Sequence, residues 1–184
     1  ILMISIPVTI SSVISVIHPL IDSATVSRCI QTAFASLYPV KEQLETLAMS
    51  KTGIISKIDT LTNLPIAVNI AFSTALVPAI SAAIAKKDFT NVSKRMTFSI
   101  FASLLIVLPC AAGFISLAQP ILNLIYPAAN DGATLLMLYS VAMVFIALNQ
   151  TINGGLYGIN KMTVPLISLV VAAVLKIILN NILV

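Results

Sequence analysis

The residues able to carry chemistry are few, and they stand where chemistry is costly. His18 and Asp22 lie four apart in an otherwise apolar run, and Arg28 follows six residues on. At helical spacing His18 and Asp22 share a face with Ser15, Thr25 and Cys29, and Arg28 sits about a quarter-turn round. A charge at the centre of a bilayer helix costs on the order of 3 kcal/mol on insertion scales, so it persists where it faces a partner or water. One reading is a hydrated cavity in which Arg28 holds an anionic group while Asp22 and His18 orient it or move a proton. The plainer reading is a helix–helix hydrogen-bond cluster with Arg28 snorkelling outward from near a helix end. Further along, Asn63 and Asn69 interrupt a second apolar run, and Asn149, Gln150 and Asn153 cluster in a fourth. Lys176 lies about two-thirds of the way through the last run, four residues before Asn180. Asn69, Asn153 and Lys176 join Arg28, Asp22 and His18 as candidate substrate-binding residues.

The elements that must position these groups follow from composition. Charged residues are 9% of the 184, hydrophobic residues 59%, and the mean hydropathy is +1.07. A soluble domain carries about 25% charged residues, so the outer face of this chain meets lipid. A helix needs ~20 apolar residues to cross the ~30 Å hydrocarbon core. Five stretches qualify: Ile4–Tyr38, Ile54–Ala85, Met96–Ala118, Ala133–Tyr157 and Thr163–Val184. Runs such as Phe101–Leu108 do not alternate as barrel strands do, and unpaired backbone cannot face lipid. The expected fold is therefore all-α, a polytopic transmembrane helix bundle. Ile1 opens the chain without an initiator Met and the last span is still apolar at Val184, so the expectation is an internal piece of a larger protein.

Charge orients the bundle. Lys86, Lys87, Lys94 and Arg95 crowd one connection, residues 127–132 carry a single acid, Asp131, and 158–162 carry Lys161. Positive residues mark the cytoplasmic side, which places 86–95 and 158–162 inside and 127–132 outside. The loop from Pro39 to Lys57 then falls outside, and residue 1 lies near the cytoplasm. Pro19, Pro65, Pro78 and Pro109 each remove a helix hydrogen bond inside an apolar run. Asn63 to Pro65 is accordingly a place where a helix either opens toward a cavity or is capped locally by Asp59 and Asn63. Gln119–Tyr126 is too short to span and reads as an interfacial helix on the outer face. Gly154 and Gly158 have GxxxG spacing, which permits close helix contact.

Enzyme signatures are missing: there is no Walker loop, no His/Cys metal spacing and no GxSxG. No cofactor is implied. Cys29 and Cys110 each stand alone in an apolar run and read as small packing residues. The net charge of +4 is spread through short loops, which suits anionic lipid at the inner leaflet and not nucleic acid.

The order of several segments resembles a known family. Asn63-Leu64-Pro65, then Thr74 to Ala83, Lys86-Lys87-Asp88, Leu108-Pro109, Gln119 to Tyr126, Gly158 to Lys161 and Lys176 to Asn180 are similar to the polysaccharide flippases typified by the stage V sporulation protein B group. That group shares the multidrug/oligosaccharidyl-lipid/polysaccharide superfamily with lipid II flippases and the multidrug and toxin extrusion transporters. Ser5 to Ile10, with Asp22 and Arg28 downstream, resembles the start of the second lobe. The resemblance covers nearly the whole chain and is densest over 59–126. It implies a two-lobed fold of about fourteen helices, of which these are about the seventh to the eleventh. It also implies alternating-access export of undecaprenyl-pyrophosphate-linked sugars across the bacterial plasma membrane without ATP hydrolysis. Arg28 would then hold the pyrophosphate, with the remaining helices and membrane lipid as partners. A cation-coupled drug exporter of the same superfamily and a non-transporting membrane scaffold are the rival readings. The presence of Arg28 and Lys176 and the lack of tryptophan argue against the drug exporter.

Overall fold

A computed structural model describes residues 41–127 and 130–183. The first expected span, with His18, Asp22, Arg28 and Cys29, lies outside the described residues. Five helices follow in order: α1 (Lys41–Ala85), α2 (Phe89–Ser116), α3 (Ala118–Ile125), α4 (Ala133–Gly158) and α5 (Thr163–Leu183). Three of them, over Glu45–Ala85, Phe89–Ser116 and Ala133–Gly158, are long and apolar enough to cross a membrane, so the protein is a multi-pass membrane protein. The chain divides into two units: residues 54–161 form one, and the described residues 41–53 and 162–183 belong to the other.

One sequence expectation is corrected, and one of two alternatives is removed. Residues 41–57 are not a loop but the opening turns of α1. The run Lys-Glu-Gln-Leu-Glu-Thr-Leu-Ala-Met is rich in strong helix formers, while its Lys and Glu side chains are too polar for hydrocarbon. At 45 residues α1 is on the order of 70 Å long, about twice the bilayer core. Nor does α1 open at Asn63–Pro65: it is helical throughout, and Asn63 Nδ2 donates to Asp59 Oδ2 of the previous turn at 3.2 Å. Pro78 and Pro109 likewise sit inside continuous helices. In lipid the alternative to helix is exposed backbone, so the loss of one bond is tolerated.

Within residues 54–161, α1 and α4 run in the same direction and α2 runs against them. At one end Ile58 and Leu61 pack with Leu136 and with Ala118 and Leu122 of α3. Next comes a layer of Ile66, Val107, Ala111, Met143 and Ala147. At the other end the contacts are backbone-close. A methyl group added at Gly154 would lie 2.7 Å from the Ser73 carbonyl oxygen, and one at Gly158 2.7 Å from Ile80 Cβ. A methyl group at Gly155 would overlap Met96 Sδ of α2. The 86–95 and 158–161 connections therefore share one end of the bundle, and 54–58 share the other with 126, 127 and 130–132, as the charge pattern requires.

The burial pattern is inverted relative to a soluble bundle. The buried face of α2 is Ser99, Ser103, Val107 and Ala111, while Phe98, Phe101 and Leu105 of the same helix are about two-thirds exposed. Lipid is as apolar as leucine, so apolar bulk gains little by turning inward, and small residues that let backbones approach are placed at the contacts. The short helix expected over Gln119–Tyr126 is α3, which begins and ends one residue earlier. It buries Ala118 and Leu122, and its polar side ties Gln119 and Asn123 to Asn130.

The connections are built for tight reversal. α1 ends with Lys87 in the left-handed region (φ 58°) and a bond from Asp88 N to the Ala83 carbonyl. α4 ends the same way, with Asn160 at φ 60° and Lys161 N bonded to the Leu156 carbonyl. These are Schellman-type closures of helix ends. Asp88 then caps α2, accepting from Asn91 N at 3.0 Å.

Replacing Gly158 by Leu is expected to separate α1 from α4, because both Ile80 and the Val77 carbonyl stand within 3.1 Å of the new Cβ. Overpacking of this kind costs ~1–3 kcal/mol. Thermal unfolding of the detergent-solubilised full-length protein should show a lowered midpoint for Gly158→Leu and little change for Gly113→Ala, where the added group meets open space.

Candidate functional site

The described unit carries polar groups at membrane depth in one joint among three helices. Asn69 of α1 is fully buried. Its carbonyl Oδ1 accepts the Ser103 hydroxyl of α2 at 2.6 Å. Its Nδ2 donates to the Ala147 carbonyl of α4 at 2.9 Å, with Gln150 Oε1 at 3.3 Å and Thr151 Oγ1 at 3.4 Å. Ser73, one turn on, meets Thr151 at 3.2 Å. Thr151 has one hydroxyl proton and its own Ala147 carbonyl lies 3.0 Å away. When that carbonyl takes the proton, Ser73 is the donor in the pair. Among the described residues no buried side-chain polar atom lacks a partner.

A groove of about 290 Å³ opens beside this joint, between α1 and α4. Ile70, Ser73, Thr74 and Val77 line one wall, and Gln150, Asn153, Gly154 and Tyr157 the other. It runs from the level of Asn69 toward the end that carries the basic residues. Asn153 is half-buried there, and its Nδ2 donates to Asn149 Oδ1 at 3.1 Å.

The candidate residues therefore separate. Asn153 lines the groove. Asn69 lies next to it but has both amide atoms committed to α2 and α4, so contact with a substrate would first require those bonds to break. Lys176 is half-buried on α5 and belongs to the other unit. Arg28, Asp22 and His18 lie outside the described residues. Ser73, Ser103 and Thr151 were not legible from the sequence as site residues. A lone hydroxyl in an apolar helix is cheap because it can bond the carbonyl one turn back, so its presence signals little.

Lys57 and Asp59 mark the opposite end. Lys57 Nζ stands 5.4 Å from the centre of the Tyr126 ring, and the Tyr139 hydroxyl lies 3.5 Å from Asp59 Oδ1. Among the described residues no group of His, Cys, Asp and Glu could hold a metal ion.

Residues 6–184 match the protein family described as lipid II flippase MurJ. A curated relative, the lipid II flippase MurJ of Bacillus subtilis (strain 168), is 26% identical over 125 residues, which is 65% of this chain and 23% of that protein. The chain thus spans about a quarter of the length of the curated relative it matches. No solved structure matches.

Substituting Asn69 by Ala leaves the Ser103 hydroxyl and the 147–151 turn without their shared partner. Leaving buried polar groups unsatisfied costs ~1–3 kcal/mol, although interhelical bonds in membranes average nearer 0.6 kcal/mol. A drop in unfolding midpoint for Asn69→Ala, and a smaller one for Ser103→Ala, is the expected result in the full-length protein. Equal stability of Asn69→Ala and wild type would show that the joint carries no load.

Proposed function

The chain belongs to the lipid II flippase family MurJ, and on that premise we propose that it is one portion of a transporter that moves a lipid-linked peptidoglycan precursor outward across the bacterial plasma membrane by alternating access. The observation that carries this reading is the family match over 6–184, nearly the whole chain. The work is transport, with no bond made or broken in the substrate and no cofactor.

Each candidate residue takes a role from its chemistry. Arg28 pairs with the pyrophosphate, since a planar guanidinium meets phosphate oxygens through two parallel bonds. Asp22 and His18, on the neighbouring face, orient Arg28 or pass a proton as the cavity opens and closes. Lys176 is a second cation for the same anionic group. Asn153 offers neutral hydrogen bonds from the groove. Asn69 contributes by holding α1, α2 and α4 in register. The remaining helices of the full-length protein complete the cavity.

The test is made in the full-length parent gene. Depletion should cause lipid-linked precursor to accumulate on the inner leaflet, and wild type should restore its distribution. Arg28→Ala should not restore it, because losing charge-assisted bonds worth ~1.5–3 kcal/mol weakens binding roughly tenfold to a hundredfold. Unchanged precursor distribution on depletion would remove the flippase reading and favour drug export or scaffolding. Full rescue by Arg28→Ala would remove Arg28 from the path.

A further inference from the structure

Among the described residues, the groove beside the Asn69 joint is lined by apolar surface and by five side chains with hydrogen-bonding groups, Ser73, Thr74, Gln150, Asn153 and Tyr157, none of them charged. Among the described residues, three of its polar groups have no partner. Gln150 accepts from Asn69 through its carbonyl, leaving its amide nitrogen as a donor. Asn153 donates to Asn149, leaving its carbonyl as an acceptor. The Tyr157 hydroxyl, which can donate and accept, makes no hydrogen bond. A fourth group follows from covalent structure: Pro78 has no N–H, so the carbonyl of groove-lining Thr74 lacks its ordinary helix donor. Free polar groups within a span, as on Gln150 and Asn153, are costly and call for a partner, while Tyr157 stands at the helix end.

The pattern selects among partners. A phosphate accepts only, and it would find no cation in the groove and two carbonyl oxygens opposed to it. A cation would find no carboxylate and a free amide donor. A hydroxyl both donates and accepts, so a ring bearing several hydroxyls can satisfy donors and acceptors together. Ile70, Val77 and the Tyr157 ring supply apolar surface for the C–H face of such a ring. The volume, about 290 Å³, is at the small end of ligand pockets, which fits one sugar unit and not a whole headgroup.

We infer that this groove is a saccharide subsite, which takes a neutral, hydroxyl-rich ring of the lipid-linked substrate. The inference rests on the transport reading above and adds to it: the sugar is read by Gln150, Asn153 and Tyr157, and the pyrophosphate by other groups.

The experiment compares two lipids on the full-length protein in nanodiscs: lipid II, and undecaprenyl pyrophosphate without a sugar. Asn153→Leu and Tyr157→Phe are each expected to weaken lipid II binding about fivefold, the loss of one neutral hydrogen bond. Undecaprenyl pyrophosphate should bind both variants as it binds wild type. Tyr157→Phe removes one oxygen from a half-exposed residue and keeps the fold test clean. Equal weakening of both lipids, or of neither, would overturn the saccharide subsite while leaving transport in place. Arg28→Ala should weaken both lipids; if it weakens neither while Asn153→Leu weakens lipid II alone, the subsite stands and the role of Arg28 falls. Failure of wild type to bind either lipid would overturn both readings.

Discussion

Hydrocarbon has no water to lend, so each amide or hydroxyl inside it must find its partner in protein. That constraint explains the arrangement of residues 54–161 better than apolar burial does. Asn69 is expensive in a bilayer unless both ends of its amide are matched, and the match comes from two other helices: Ser103 on α2 and the 147–151 turn on α4. The bonds fix rotation as well as distance. With Asn69 aimed at Ala147, the small residues Ser73, Gly154 and Gly158 fall into one line of contact, and Ser81 Oγ reaches the Gly158 carbonyl at 2.9 Å. Polar matching sets the register, and small side chains allow the approach.

The same logic decides what was legible in the sequence. α4 and α5 begin at the residues that hydropathy indicates, because the apolar run starts with the helix, whereas α2 begins at Phe89, seven residues before the expected Met96, because its first turns are polar. The opening of α1 was hidden for the same reason. Hydropathy reports contact with lipid, and Lys41 to Lys57 form a helix without being apolar. Gly154 and Gly158 were readable as a contact because their spacing serves little else. Asn69 was readable as important, yet its role was not: a sequence shows that a polar group lies in a membrane and not whether it faces a cavity or a neighbour. Ser73, Ser103 and Thr151 gave no signal, since each hydroxyl can be satisfied within its own helix. Around Pro65 the sequence allowed either an opening or local capping, and the helix stays closed, because opening a helix in lipid exposes more backbone than the proline removes.

Under the proposed transport function, the joint and the groove divide the labour. The joint leaves no polar atom of Asn69 free, which suits a fixed element that moves as a body. Among the described residues, the groove beside it keeps a free donor on Gln150 and a free acceptor on Asn153, which suits a surface meant to exchange partners. An alternating-access device needs both: helices that keep their register while the protein rocks, and polar groups whose partners change during the cycle.

The joint and the groove both depend on the close, in-register seam of α1 and α4. Cysteine cross-linking tests it most directly, in a full-length protein whose Cys29 and Cys110 are replaced by serine. Ser73 Oγ and Thr151 Oγ1 stand 3.2 Å apart, so the two side chains already face each other across the seam, and a cysteine at each position adds no new Cβ. Ser73→Cys with Thr151→Cys should link rapidly on mild oxidation in native membranes, whereas Val68→Cys with Ile152→Cys, both exposed, should not. Linkage of the second pair in preference to the first would contradict the register on which the joint and the groove depend.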